Sequence, residues 1–245
     1  MERIICLLIG YVFGLFQTAY IYGKLHGIDI RNYGSGNAGT TNTLRVFGTK
    51  AGLIVLFVDI LKCILAIVVT GLLFGKSHPD MIYLLKLYAA MGAILGHNFP
   101  FYLHFKGGKG IAATAGLILS FHPYFVPMGV ILFFGAFFLT HYVSLGSLLV
   151  YAGFMIEMVA LGQMGIFGMS QAHLIELYII AAFLTAMAYY KHRENIGRLL
   201  KGNERKTYLT HKSDGAEAKE GAETKVEAEA TEGAQTKEAA KAKAE

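Results

Sequence analysis

Residues 111–140 read IAATAGLILSFHPYFVPMGVILFFGAFFLT, a run without a single Asp, Glu, Lys or Arg. One straight helix over this run would be about 45 Å long, whereas the hydrocarbon core of a bilayer is only ~30 Å thick. His122-Pro123 falls inside it, and proline removes a backbone donor and clashes with the preceding turn. The run divides there into two segments, and the first, 111–121, is short enough to be tilted or re-entrant.

Further apolar runs cover about residues 3–23, 51–74, 81–103, 145–163 and 172–190. Basic residues collect between them. Lys24, Arg31, Arg45 and Lys50 follow the first run, and Lys106 and Lys109 follow the third. Lys191, His192, Arg193, Arg198, Lys201, Arg205 and Lys206 follow the last. Positively charged loops stay in the cytoplasm, so the chain crosses an even number of times between Lys109 and Lys191. A break at His122-Pro123 gives four crossings, and no break gives three. The expected fold class is all-α: a polytopic integral membrane protein with seven transmembrane helical segments, its N-terminus outside and its C-terminus cytoplasmic.

Composition agrees. Hydrophobic residues make up 54% of the 245 and charged residues 16%, with a mean hydropathy of +0.47. One soluble core of this size could not hide that much apolar surface, but lipid accepts it all round a helix. The net charge of +5 sits in short loops between apolar runs, which points to membrane orientation and anionic lipid or substrate, not nucleic acid. Cys6 and Cys63 lie inside apolar runs and imply neither a disulfide framework nor a metal. The first run ends in Tyr20, Tyr22 and Lys24 without a small-residue cleavage pattern, so it reads as a retained span. From Lys212 the chain turns to Ala, Glu, Lys, Gly and Thr without apolar periodicity. This predicts a membrane domain, 1–211, and a disordered cytoplasmic tail, 212–245. Glu157, inside an apolar run, calls for a polar partner.

Three polar islands fall on the expected cytoplasmic side. The first is Gly34-Ser35-Gly36-Asn37-Ala38-Gly39-Thr40-Thr41-Asn42-Thr43-Leu44-Arg45. Its GxGxxG spacing lacks the preceding strand and βαβ unit that a dinucleotide site requires. Glycines here would let backbone N–H groups approach an anion, with Ser35, Asn37, Thr41 and Asn42 adding hydrogen bonds and Arg45 a forked cation. The same residues also suit an ordinary flexible loop. The second island, Gly96-His97-Asn98-Phe99-Pro100 through Phe105-Lys106-Gly107-Gly108-Lys109-Gly110, sets two lysines around two glycines just before a new helix. That is a phosphate cradle at a helix N-terminus, or simple positive-inside anchoring. His97 is equally readable as a packed, hydrogen-bonded histidine. The third island runs from His192 to Glu204, and on a continuing helix His192 and Asn195 share a face. A basic flank to the last span is the plainer reading. Ser144 and Ser147 flank Leu145-Gly146 at a predicted cytoplasmic helix end, where capping would explain them. His141 and His173 read as interfacial. No HEXXH, CxxC or EF-hand pattern appears, so no metal site is expected.

Taken together, GSGN-x-G-x-TN-x-x-R, GH-x-FP…FKGGKG and HR-x-NI-x-RL-x-x-G-x-E, in this order over about residues 1–210, resemble the bacterial acyl-phosphate-dependent glycerol-3-phosphate acyltransferase family. Asp29-Ile30-Arg31 and Ser144-Leu145-Gly146-Ser147 are similar to it as well. Gly14-Leu15-Phe16-Gln17 departs from the Gly-Ser-Ile-Pro such proteins usually carry, and Cys63 from a usual Gly. The resemblance implies seven helical spans in the bacterial inner membrane. It implies transfer of a fatty acyl group from acyl phosphate to the 1-hydroxyl of glycerol 3-phosphate, giving lysophosphatidic acid and phosphate. Neither a cofactor nor direct use of coenzyme A or acyl carrier protein is implied, and the protein is expected to function as a monomer. No His is followed five residues later by Asp, so the signature of thioester-dependent acyltransferases is missing.

By this resemblance Ser35, Arg45, Ser144, His192 and Asn195 line the glycerol 3-phosphate site. Gly34, Gly36, Asn37, Thr41, Asn42, His97, Lys106, Gly107, Gly108, Lys109 and Gly110 are the further expected substrate- and phosphate-binding residues. His192 and a substrate phosphate oxygen are both candidate proton acceptors. Two rival classes stand beside this one: an organic-phosphate transporter and a noncatalytic anchor for the tail. Transport sites usually lie near mid-membrane, and an anchor leaves the three islands without a purpose.

Overall fold

The computed structural model describes residues 1–208, and these are helical with no strand. The expected tail, 212–245, lies outside the described residues. The helices are α1 (Glu2–Gly14), α2 (Thr18–Leu25), α3 (Thr40–Phe47), α4 (Thr49–Phe74), α5 (Ile82–Asn98), α6 (Ile111–Phe121), α7 (Phe125–Thr140), α8 (Val143–Gln163), α9 (Gln171–Lys191) and α10 (Arg193–Leu200).

Length and polarity sort them. The α1–α2 run (Glu2–Leu25), α4, α8 and α9 are each long and apolar enough to cross a membrane, while α6 and α7 are apolar but shorter. In α1, Cys6, Gly10 and Gly14 face inward while Ile4, Leu8 and Val12 face out. Both faces are apolar, which is stable only where lipid replaces water. The expected division of 111–140 is found at His122-Pro123, where His122 is extended (φ −157°, ψ 138°).

The first run, expected as one span, is long and apolar enough to cross as Glu2–Leu25, and it is divided into two helices at Leu15–Gln17. No proline marks this break. Gln17 takes proline's place in a different way: its buried amide nitrogen lies 3.0–3.2 Å from the carbonyl oxygens of Gly14, Gly96 and His97. The third run likewise stops at Asn98, because Phe99-Pro100 cannot prolong α5.

Helix α5 is the hub, packed against α1, α4, α6 and α9. Its crossing with α1 is set by facing glycines. A Cβ at Gly10 would strike the Ala89 carbonyl, and one at Gly96 the Tyr11 carbonyl. Such close backbone approach is how helices gain packing in lipid, where no hydrophobic force drives them together. At the end of the bundle away from the polar islands, Arg3 grips Glu176 through two hydrogen bonds of 2.6 and 2.8 Å, and Tyr88 donates to the same carboxylate. This ties α1, α5 and α9 together. Cys63 packs into the α4–α6 contact, facing Gly116. Glu157 is half-buried on α8 without a hydrogen-bond or ion-pair partner among the described residues, and nothing in the fold explains it.

Candidate active site

The islands meet at one end of the bundle, around a cavity of about 720 Å³. Four helices begin on its wall: Thr40 and Thr41 open α3, Ile111 and Ala112 open α6, Val143 and Ser144 open α8, and Arg193 and Glu194 open α10. The first intrahelical bonds of these helices are made by Thr43, Thr114, Gly146 and Ile196. The N–H groups ahead of them have no acceptor within their own helices, and the four positive dipole ends converge. Arg45, Lys109, Lys191, Arg193, Arg198 and Arg205 line the same space against only Asp59, Glu194 and Glu204. Helix N-termini together with an excess of cationic side chains favour an anion in this space. The wall facing it carries Leu44, Leu53, Leu56, Phe133, Phe134 and Phe137 from α3, α4 and α7. Phe134 and Leu53 remain exposed on the lipid-facing side, so the apolar wall continues to the membrane.

A cationic mouth joined to a lipid-facing apolar wall suits a phosphorylated substrate with a long chain. The sequence model of the family described as glycerol-3-phosphate acyltransferase matches residues 4–202. The chain belongs to that family. The glycerol-3-phosphate acyltransferase of Halalkalibacterium halodurans is 43% identical over 197 residues, covering 80% of this chain and 91% of the relative. That of Mycoplasmopsis synoviae is 38% identical over 210 residues, covering 81% and 91%. The crystal structure of PlsY (YgiH), an integral membrane glycerol 3-phosphate acyltransferase, in its glycerol 3-phosphate form has 30% identity and a TM-score of 0.71, covering 85% of this chain and 96% of that one. Its lysophosphatidic acid form scores 0.68 at 29% identity, covering 85% and 97%. This acyltransferase-family chain is therefore a multi-pass membrane protein.

Most of the expected residues stand on the cavity wall: Ser35, Gly36, Asn37, Thr41, Asn42, Arg45, His97, Lys109, Gly110, Ser144, His192 and Asn195. Their duties differ. The Asn42 side chain accepts from Ser35 N–H at 2.7 Å and donates to the carbonyls of Ile30 and Tyr33, so it staples the glycine loop to α3. Asn195 is held at both ends, taking a hydrogen bond from Lys109 Nζ and donating to Glu204 Oε1 at 2.7 Å. Ser144 Oγ and Thr40 Oγ1 are buried with no hydrogen-bond partner among the described residues. Both hydroxyls belong to residues of the cavity wall.

Gly34, Lys106, Gly107 and Gly108 stand off the cavity wall, and here the expected cradle must be redrawn. Lys106 is exposed. The N–H groups of Gly107 and Gly108 donate to the carbonyls of Asn98 and His97 at 3.2 and 3.1 Å, so they close the end of α5 and are not free for phosphate. Their lack of a side chain serves close packing: a Cβ on Gly107 would strike the His97 carbonyl, and one on Gly108 would overlap His97 Nε2. Gly34 turns the first loop at φ +61° against Asn42.

Electrostatics sharpen the picture. Burial, reinforced by Arg198, pulls Lys109 down to about 8. Burial also lowers Arg45, with Arg205 adding repulsion. His192 is 3% exposed, and its Nδ1 lies 2.7 Å from the Ala188 carbonyl. Burial holds it down at about 4 against that bond, with Lys109's charge helping to lower it. A carbonyl only accepts, so Nδ1 carries the proton and Nε2 presents a lone pair.

Several wall residues were not anticipated as site residues. Thr40 sits among the small residues of the first island, and Asp59 lies about ten residues into α4. Segment 203–208 straps the mouth. Glu204 accepts from Asn195 and from Arg198 (2.8 Å), Arg205 reaches the Gly34 carbonyl at 3.3 Å, and Thr207 bonds both Arg45 and the backbone of His141.

Proposed function

We propose that this protein transfers a fatty acyl group from acyl phosphate to the 1-hydroxyl of glycerol 3-phosphate, releasing lysophosphatidic acid and inorganic phosphate. One observation carries the reading: four helix N-termini and a set of cationic side chains converge on a cavity whose opposite wall is apolar and reaches the lipid face. Two phosphates with one long chain fit that distribution.

Acyl phosphate is already activated, so the protein's work is to position the substrates and stabilise developing charge. Arg45, Lys109, Ser35 and the α3 N-terminus hold glycerol 3-phosphate, with Ser144 and Thr40 supplying hydroxyl contacts. Phe133, Phe134 and Phe137 line the path of the chain. His192 Nε2 accepts the hydrogen bond of the attacking hydroxyl and aims it. With a pKa of about 4 it is a poor resting place for the proton. A phosphomonoester-like oxygen, with a pKa of about 6, is the better sink, and the departing phosphate supplies one. The C–O bond to glycerol forms, the acyl–O–P linkage breaks, and the proton leaves on phosphate. Neither coenzyme A nor acyl carrier protein takes part directly, and one chain carries every group named.

The membrane arrangement follows the same reading: seven segments (α1–α2, α4, α5, α6, α7, α8, α9), N-terminus outside, C-terminus and cavity cytoplasmic, in the bacterial inner membrane, with 1–211 as the catalytic domain and 212–245 as a separate tail. Support for counting α6 comes from its neighbours. Its start faces Ile94 of α5, and Phe121 at its end packs on Tyr83 at the other end of α5. Its 11 residues thus run alongside the Ile94-to-Tyr83 stretch of the 17-residue α5.

The test is direct. Purified protein in lipid mesophase is given glycerol 3-phosphate with palmitoyl phosphate or with palmitoyl coenzyme A. Lysophosphatidic acid and phosphate from the first donor alone are expected. Product from the thioester alone, or from neither with folded protein, overturns the reading.

A further inference from the structure

Buried in α4, next to the cavity floor, is a charged pair that no polar island contains. Asp59 is 1% exposed and Lys62 4%. Lys62 Nζ is 2.8 Å from each of three groups: Asp59 Oδ1, the Phe16 carbonyl at the break between α1 and α2, and Nδ1 of His97. Thr18 donates to the same Asp59 oxygen at 2.9 Å.

An ammonium has three protons and no lone pair. Here three acceptors surround it, one of them the Asp59 carboxylate at 2.8 Å. His97 Nδ1 must therefore accept, which forces the ring proton onto Nε2. That edge of the ring lies against Gly108, where a Cβ would overlap it, and His97 forms part of the cavity wall. The second histidine on the wall is fixed the opposite way, because His192 Nδ1 donates to the Ala188 carbonyl. Both histidines belong to the cavity wall, and they are fixed in opposite tautomers, Nε2 being a donor on His97 and an acceptor on His192.

We propose that Lys62, held by Asp59, is a positioning residue that locks His97 as an Nε2–H donor to the oxygen of the reacting acyl carbonyl, complementary to the acceptor on His192. This rests on the acyl-transfer reading above. When the glycerol hydroxyl adds to the acyl carbon, the carbonyl oxygen becomes an oxyanion. A preset N–H stabilises it without reorganisation, and the bond is released as the carbonyl re-forms and phosphate departs. A burial this unfavourable for two charges inside a membrane segment is otherwise unexplained by packing. The break at Leu15–Gln17, made by Gln17, leaves the Phe16 carbonyl free for Lys62.

The first arm needs no variant. The chain has nine histidines. Long-range 1H–15N correlation on histidine-labelled wild-type protein, with His97→Gln and His192→Gln used for assignment, reports each tautomer directly and independently of turnover. An Nε2–H signal for His97 and an Nδ1–H signal for His192 are expected. An Nδ1–H signal for His97 overturns the proposal, while absence of turnover with acyl phosphate overturns only the enzymatic reading. The second arm is kinetic. Lys62→Met should shift the His97 signal toward mixed tautomers and lower kcat by on the order of tenfold with KM for glycerol 3-phosphate unchanged. In a His97→Ala background the same substitution should have almost no further effect. His97→Gln, which keeps an N–H near Nε2, should retain more kcat than His97→Ala. Fully multiplicative losses in the double variant, or an unaltered His97 spectrum in Lys62→Met, would mean that Lys62 does not act through His97.

Discussion

Arg45 Nη2 donates to Thr207 Oγ1 at 3.0 Å, joining α3 to the strap across 162 residues of sequence. A guanidinium has five donors in a fixed fork, so one bond to a neutral hydroxyl orients the group and leaves the rest for an anion. Thr207→Val keeps the shape and removes the hydroxyl. KM for glycerol 3-phosphate should rise by up to about tenfold, the value of one hydrogen bond, with kcat little changed. Arg45→Ala should lower kcat/KM by on the order of 100-fold, because it removes charge-assisted bonds to phosphate. Initial rates against glycerol 3-phosphate concentration measure both.

Lys109 gives a pH dependence with a definite sign. Its depressed pKa of about 8 means that the free protein carries this charge below pH 8 and loses it above. Attraction for the anionic substrate is present on the acid side, so kcat/KM should fall as pH rises through about 8. In Lys109→Arg the charge persists, and the alkaline limb should move upward by more than about one pH unit even if the plateau is lower. A limb that stays at the same pH in both proteins would assign it to another group.

Lys106 and Gly108, two residues of the second island, should behave oppositely when replaced by alanine. Lys106 is exposed and off the cavity wall, so Lys106→Ala should change kcat/KM by less than about threefold, the scale of a surface charge. Gly108→Ala forces a Cβ onto His97 Nε2 and should reduce kcat by on the order of 100-fold, the effect of losing a preset donor. Steady-state assays of the two variants in parallel decide the matter.

Glu204 holds Asn195 and Arg198 at once. Glu204→Ala should lower stability by roughly 1–3 kcal/mol, since Asn195 loses a buried partner and part-exposed Arg198 its counter-charge. Glu204→Gln keeps an oxygen for Asn195 and should recover part of the loss. Thermal unfolding in detergent, followed by tryptophan-independent thiol or scattering readouts, compares them, because the chain contains no Trp.

Much of this was readable from the residues. Glycine, serine and asparagine between apolar runs marked the loops, and His122-Pro123 located a break that hydropathy alone would miss. The break at Leu15–Gln17 was invisible because its cause is a distant one: the Gln17 amide reaches carbonyls of α5. The role of Gly107 and Gly108 was misplaced for a similar reason. Sequence shows a backbone N–H that can approach closely, but not that the end of α5 has already claimed it. Asp59 and Lys62 did leave a signal. Two opposite charges three residues apart in an otherwise apolar run must meet each other and something else. Thr207 left none, since a threonine beyond a basic stretch reads as an ordinary flank.

The strap carries a consequence for how the protein is made. Arg45, the glycine loop and the α6 start are all synthesised early, yet Glu204 and Thr207, which fasten Asn195 and Arg45, come after every span. A ribosome that has threaded all the membrane segments has still not delivered the residues that finish the mouth. A chain ending before residue 203 would keep every helix from α1 to α10 yet lack the contacts by which Glu204 and Thr207 hold Asn195, Arg198 and Arg45.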